Sequence, residues 1–141
     1  MNWSSPSERE RRFAEVERFQ GLTPKDIKKV IKVGSSVRRS PGEELIRQGE
    51  PGTGIFIVVS GELSVRQGQE DLGTVRPGDL IGEIGLVELV PSTSTVTATT
   101  EVEALHIGYD ETRRLISEVK KFGEAIRATA HRRLERDRHR E

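Results

Sequence analysis

Two glycines flank an acid in Ile81-Gly82-Glu83-Ile84-Gly85-Leu86, between the turn Arg76-Pro77-Gly78-Asp79 and the Ser/Thr run Ser92–Thr100. Glycine lets a backbone turn sharply or approach a ligand closely. If this segment opens a short helical turn, unpaired N–H groups at the helix start stand beside the Glu83 carboxylate. Such a nest receives an anion, and the carboxylate accepts a hydrogen bond from a sugar hydroxyl. Taken alone, the segment fits a plain structural turn at least as well. Other reactive residue types are poorly placed: His106, His131 and His139 are too scattered for a metal cluster, and there is no cysteine. His106, at the end of the last candidate strand, reads as a surface or half-buried structural histidine. With no nucleophile elbow, P-loop or paired-carboxylate pattern, no metal site, no cofactor and no enzymatic activity are expected.

Elements that would position the segment can be read on either side of it. Ser5-Pro6-Ser7-Glu8 matches a capping box with proline at the first helical position, followed by Phe13, Val16 and Phe19, which predicts an amphipathic helix ending near Gly21. Thr23-Pro24-Lys25-Asp26 repeats the pattern, with Ile27, Val30 and Ile31 on one face and Gly34 as a stop signal. From Val37 to Ile107 short apolar or alternating runs are broken by turns every 8–12 residues, the texture of an all-β sandwich or barrel. The candidate strands are Glu44–Ile46, Gly54–Ser60, Glu62–Arg66, Asp71–Val75, Thr95–Ala98 and Glu101–Ile107, with Ile55–Val59 buried on both faces. After Tyr109-Asp110 a helical period returns in Leu115, Val119, Phe122 and Ile126, continued by Thr129 and Arg133, and a bend between two helices is expected near Gly123.

Composition narrows the function classes. Leu, Ile, Val and Phe supply 37 of 141 residues, enough for one folded domain with a modest core. The formal charge is zero, yet residues 1–42 carry 10 basic and 5 acidic side chains, residues 43–110 carry 3 and 12, and residues 111–141 carry 10 and 6. The arginine-rich tail lacks aromatics for base stacking and reads as a solvated helix, so no direct nucleic-acid binding is expected. Without an apolar leader or a span of about 18 apolar residues, no membrane association is expected and a cytoplasmic location is the default.

Four stretches in order and spacing carry a family resemblance: Phe19-Gln20-Gly21-Leu22-Thr23, residues 41–52 (PGEELIRQGEPG), Ile57-Val58-Val59-Ser60-Gly61-Glu62-Leu63, and Pro77-Gly78-Asp79-Leu80-Ile81-Gly82-Glu83-Ile84-Gly85-Leu86. Together they resemble the cyclic-nucleotide-binding domain of catabolite activator proteins, protein kinase A regulatory subunits and gated ion channels. The resemblance implies a mainly β fold with flanking helices (α+β), an antiparallel jelly roll of about eight strands with N-terminal helices and a C-terminal helical lid. Residues 1–36, 37–109 and 110–141 would form the three parts of one domain. It implies ligand contacts from Gly82, Glu83, Ile84, Gly85 and Leu86, with Glu83 on the ribose of cAMP or cGMP.

One position departs from the family pattern. Where the family places the arginine that pairs with the cyclic phosphate, this sequence has Ser92, followed by Thr93. Losing a charge-assisted hydrogen bond worth about 1.5–3 kcal/mol weakens binding roughly ten- to a hundredfold. Arg76 is the first candidate for a substitute cation, although a solvated charge at a strand end explains it as well. The expected function is therefore a regulatory sensor with weak or altered nucleotide binding. The rival is a ligand-independent module that dimerises or docks a protein partner through Leu115, Val119, Phe122 and Ile126. Either output is expected to lie in a partner or in sequence outside this chain.

Overall fold

In the computed structural model, which describes residues 4–16, 19–82 and 92–129, both N-terminal helices start at their capping boxes. Helix α1 spans Pro6–Ala14, with the Ser5 hydroxyl accepting from the Glu8 amide at 3.1 Å and the Glu8 carboxylate accepting from the Ser5 amide at 3.3 Å. Helix α2 spans Pro24–Val33 and repeats the exchange between Thr23 and Asp26, burying Ile27, Val30 and Ile31. Helix α1 stops seven residues before the expected Gly21. In a continuous helix Phe13 and Phe19 would stand about 120° apart around the axis, and only one could face the core. Tight bonds from the Glu15 and Val16 amides to the Arg12 and Phe13 carbonyls end the helix. The chain folds back so that both rings are buried, edge to face, with centroids 6.0 Å apart.

Two four-stranded antiparallel sheets follow, β1-β8-β3-β6 and β2-β7-β4-β5. The strands are β1 (Ser35–Arg39), β2 (Glu44–Ile46), β3 (Gly54–Ser60), β4 (Leu63–Gln67), β5 (Glu70–Val75), β6 (Leu80–Ile81), β7 (Thr95–Ala98) and β8 (Val102–Gly108). This is the jelly-roll arrangement expected, with eight strands among the described residues. Two of them, β1 and β6, are absent from the sequence reading. Strand β1 has a single apolar residue, Val37, and is held by five residue pairs with β8; β6 is only two residues long. Period 2 splits β3, with Phe56 and Val58 in the core between the sheets and Ile55, Ile57 and Val59 in a second core under the helices. At the far end of β8, buried Glu103 accepts from the Ser4 amide (2.9 Å) and hydroxyl (2.7 Å) and pairs with Arg9 at 3.5 Å, which ties the N-terminal segment to the sheet. Burying that carboxylate without such partners would be costly.

Helix α3 spans Tyr109–Glu118, and a second helical segment, α4, covers residues 120–129. The break falls at Val119 (φ −123°, ψ 90°) rather than near Gly123. Gly123 has a different task. A Cβ there would lie 2.9 Å from the Ile116 side chain, so glycine lets the two helices fold closely together. Leu115, Val119, Phe122 and Ile126 are at most 4 % exposed and pack against Phe13, Phe19, Ile27 and the outer face of the first sheet. The face read as a docking surface is thus consumed by the protein's own core, and Thr129 continues it as a buried residue. Arg133 and the rest of the arginine-rich tail lie outside the described residues. Among those described, no helix is long and apolar enough to cross a membrane.

Truncating the centre of this second core should be costly. Phe122→Ala is expected to lower stability by about 3–5 kcal/mol. Val33→Ala, at the exposed end of α2, should stay within about 0.5 kcal/mol. Urea unfolding followed by circular dichroism checks both; similar midpoints for the two variants would contradict this packing.

Candidate functional site

Gly82 closes β6 with φ +88°, and a Cβ on it would lie 2.7 Å from the Gly54 carbonyl oxygen. Only glycine combines that left-handed backbone with so close an approach. The next four candidates, Glu83, Ile84, Gly85 and Leu86, fall within 83–91 and lie outside the described residues. The chain returns at Ser92, whose amide donates to the Glu50 carbonyl at 3.0 Å and whose carbonyl accepts from the Gly49 amide at 2.8 Å. Three residues on, the Thr95 hydroxyl accepts from the Gln48 amide at 3.0 Å. Ser92 and Thr93 are half-buried. The loop between β2 and β3 therefore meets Ser92 through Gly49 and Glu50, and it leads into Gly54, which touches Gly82. Both flanks of segment 83–91 are held by this one connection.

A second set of residues surrounds Gly82. The Tyr109 hydroxyl, at the start of α3, donates to the Gly82 carbonyl at 3.1 Å. Space for that hydroxyl comes from Gly52, where a Cβ would collide with the Tyr109 oxygen. His106 is half-buried in β8, as expected of a structural histidine. Its ring lies 4.8 Å from the Phe56 ring, and Nε2 is 3.1 Å from the Thr53 hydroxyl. Sequence reasoning missed Tyr109 and the pair Gly52 and Gly54. Their one signal was the cluster Pro51-Gly52-Thr53-Gly54, which reads as an ordinary turn.

Charge is distributed so that the arginines of the acidic segment are already engaged. Arg76 pairs with Glu62 at 3.5 Å and is largely exposed. Gly82 sits at the Gly54 end of β3, whereas the turn carrying Arg76 bonds to Val58, near the other end. The seven-residue strand separates its ends by about 20 Å at about 3.3 Å per residue. The structure does not bring Arg76 to Gly82 or Ser92. Arg47 lies on the loop that meets Ser92, but its guanidinium reaches Glu44 at 2.7 Å and Glu50 at 3.5 Å. The hydrogen bond from Arg47 holds the Glu44 carboxyl below its ordinary value and raises that of Arg47. Arg66 donates to the Gln69 carbonyl in the β4–β5 hairpin. Among the described residues, no group of three or more acids or histidines is placed to hold a metal ion. Among the described residues, what this leaves near Ser92 for an anion is backbone N–H and hydroxyl chemistry.

Gly82→Ala is expected to cost about 1–3 kcal/mol from its backbone conformation alone, plus the clash with Gly54. Gly42 has φ +91° with open space around it, so Gly42→Ala carries only the backbone cost. Urea unfolding of the two variants should show the larger loss at Gly82; equal losses would mean that the contact with Gly54 is slack.

Comparison with known proteins fits this geometry. Residues 36–119, more than half of the chain, match the family model described as "Cyclic nucleotide-binding domain". A cAMP-activated global transcriptional regulator of the CRP-like type from Mycobacterium tuberculosis is 32% identical over 123 residues, 84% of this chain and 55% of that protein. A cAMP-dependent protein kinase regulatory subunit from Hypocrea atroviridis is 29% identical over 106 residues, 75% of this chain and 23% of that protein. The chain thus spans between a quarter and about half of these relatives. In fold it is similar to the Thermus thermophilus catabolite activator protein, with TM-score 0.78 at 22% identity, covering 87% of this chain and 60% of that one. Family match, strand order and the glycine-led segment after β6 agree: the chain belongs to the cyclic nucleotide-binding domain family.

Proposed function

We propose that this domain is a regulatory sensor that takes a cyclic nucleotide, cAMP or cGMP, or a related phosphorylated ligand, at Gly82–Leu86, with affinity lowered by Ser92. The observation that carries the reading is the frame around the segment. Gly82 and Ser92 stand at its two flanks, Gly82 against Gly54 at the start of β3 and Ser92 against Gly49 and Glu50 in the loop before it. The relatives named above are cAMP-dependent and cAMP-activated regulators rather than catalysts of their own, which supports a sensing role without enzymatic activity. The lowered affinity follows from chemistry. Ser92 and Thr93 offer hydroxyls where the family pattern has a guanidinium, and the Arg47 and Arg76 side chains are occupied by carboxylates.

The rival reading, a module that has lost its ligand and works through protein contacts, is favoured by the same Ser92. It loses the surface first assigned to it, because Leu115, Val119, Phe122 and Ile126 are buried inside the domain. A protein partner of this domain would have to use another face.

Isothermal titration decides between the two. Wild type should bind cAMP or cGMP weakly, and Ser92→Arg should tighten binding roughly ten- to a hundredfold, the range of one charge-assisted hydrogen bond. No heat and no thermal shift at millimolar nucleotide, in wild type and in Ser92→Arg alike, would overturn the sensor reading.

A further inference from the structure

We propose that the lysine face of helix α2 is a docking surface for an anionic phospholipid membrane, which it touches through charge and does not cross. Such peripheral contact requires no apolar span, and it stands or falls independently of the nucleotide site.

Helix α2 carries exposed Lys25, Lys28, Lys29 and Lys32 opposite its buried Ile27, Val30 and Ile31. Lys25 stands three and four residues before Lys28 and Lys29, and Lys32 stands four and three residues after them. Like charges at those spacings destabilise a helix. Lys25 also lies in the first turn, where the helix dipole disfavours a cation. The single acid of the helix, Asp26, accepts from the Thr23 amide at 3.1 Å. Of the four lysines, only Lys29 forms an ion pair among the described residues, with Glu118 at 2.7 Å. Lys121, paired with Glu124 at 3.4 Å, extends the basic surface, its stem lying over Gly21 just ahead of α2. The arrangement works against the isolated helix, and an anionic surface facing it would reverse that.

Layering separates this face from the acidic part of the fold. Ile27, Val30 and Ile31 pack on the outer side of the first sheet, whereas the second sheet, with exposed Glu70 and Asp71 in β5, lies across the other core. With sheets about 10 Å apart and a helix of similar thickness, those acids lie roughly 20 Å from the lysines. Charge is screened over about 8 Å at physiological salt. A flat anionic surface laid against α2 therefore meets the lysines and not those acids.

Other partners match the face less well. A stable protein interface has an apolar centre, and Val33, 38 % exposed, is the one exposed large apolar side chain among the described residues. Reading a nucleic-acid groove takes arginine forks and an element free to enter the groove. Helix α2 is fixed in the core along one side, and its cations are all lysine. Clusters of basic side chains on an amphipathic helix suit anionic headgroups, each lysine raising membrane partitioning about fivefold.

Co-sedimentation of the full chain with vesicles tests this. The chain should bind vesicles of phosphatidylcholine containing about a third phosphatidylserine, should not bind phosphatidylcholine alone, and should detach as ionic strength rises. Lys28→Gln combined with Lys32→Gln should weaken partitioning about twenty-fivefold. Urea unfolding of that variant should be unchanged or slightly delayed, because like-charged neighbours are removed. Arg66→Gln, which removes a positive charge from the second sheet, should leave binding as it was. No binding to the phosphatidylserine vesicles at low salt, equal binding to phosphatidylcholine alone, or an equal loss per charge in Arg66→Gln would overturn the assignment. Tighter binding to a short DNA duplex than to the vesicles, lost in the double lysine variant, would give the face to nucleic acid and overturn it too.

Discussion

Between Gly54 and Ser60 the chain alternates Ile55, Ile57 and Val59 on one side with Phe56 and Val58 on the other, and both sides are buried. A fully buried side chain of this kind contributes about 1.5–3 kcal/mol, and here every one is used. The two-sided burial makes the first sheet the middle layer of three, with the second sheet on one side and the four described helices on the other. Register follows from it, since a slip of one residue would exchange the two faces and leave Phe56 and Ile57 in each other's places. The frame of the candidate site depends on the same strand. Its first residue meets Gly82, its antiparallel partner β8 carries His106 and leads into Tyr109, and the loop that feeds it holds Ser92.

Legibility in the sequence varied with how local each signal was. The capping boxes at Ser5 and Thr23 and the strands Glu44–Ile46, Gly54–Ser60 and Thr95–Ala98 could be read from neighbouring residues, and the structure places them as read. Strand β1 could not, because Ser35-Ser36-Val37-Arg38-Arg39 has little β character and exists by pairing with β8, 60 or more residues away. Gly123 was misread because a glycine in a helical pattern looks the same whether it breaks the helix or admits a neighbour. At the candidate site, the resemblance identified Gly82 and Ser92 individually. That both are framed by the β2–β3 loop, and that Tyr109 reaches Gly82, are long-range facts with no local pattern.

The uneven charge distribution also takes on a physical form. The four lysines of α2, Lys25, Lys28, Lys29 and Lys32, are exposed opposite its buried face, and Lys29 pairs with Glu118 of α3 at 2.7 Å. In the acidic centre each basic side chain is met by an acid or a carbonyl within its own neighbourhood. Exposed pairs of this kind contribute little to stability. They leave each arginine of this segment beside an acid or a carbonyl of its own neighbourhood.

The single non-helical residue Val119 separates two helices with different attachments. Helix α3 is fastened at Tyr109 to the Gly82 carbonyl, while α4 is fastened through Phe122 and Ile126 to the aromatic cluster around Phe19. A continuous helix would be a rigid lever, and any displacement at its first residue would prise Phe122 from that cluster. A joint converts the lever into a linkage. Rotation about one backbone bond at Val119 would let α3 tilt without prising Phe122 from its neighbours, so the packing such a tilt disturbs is that of Leu115 and the other α3 residues themselves.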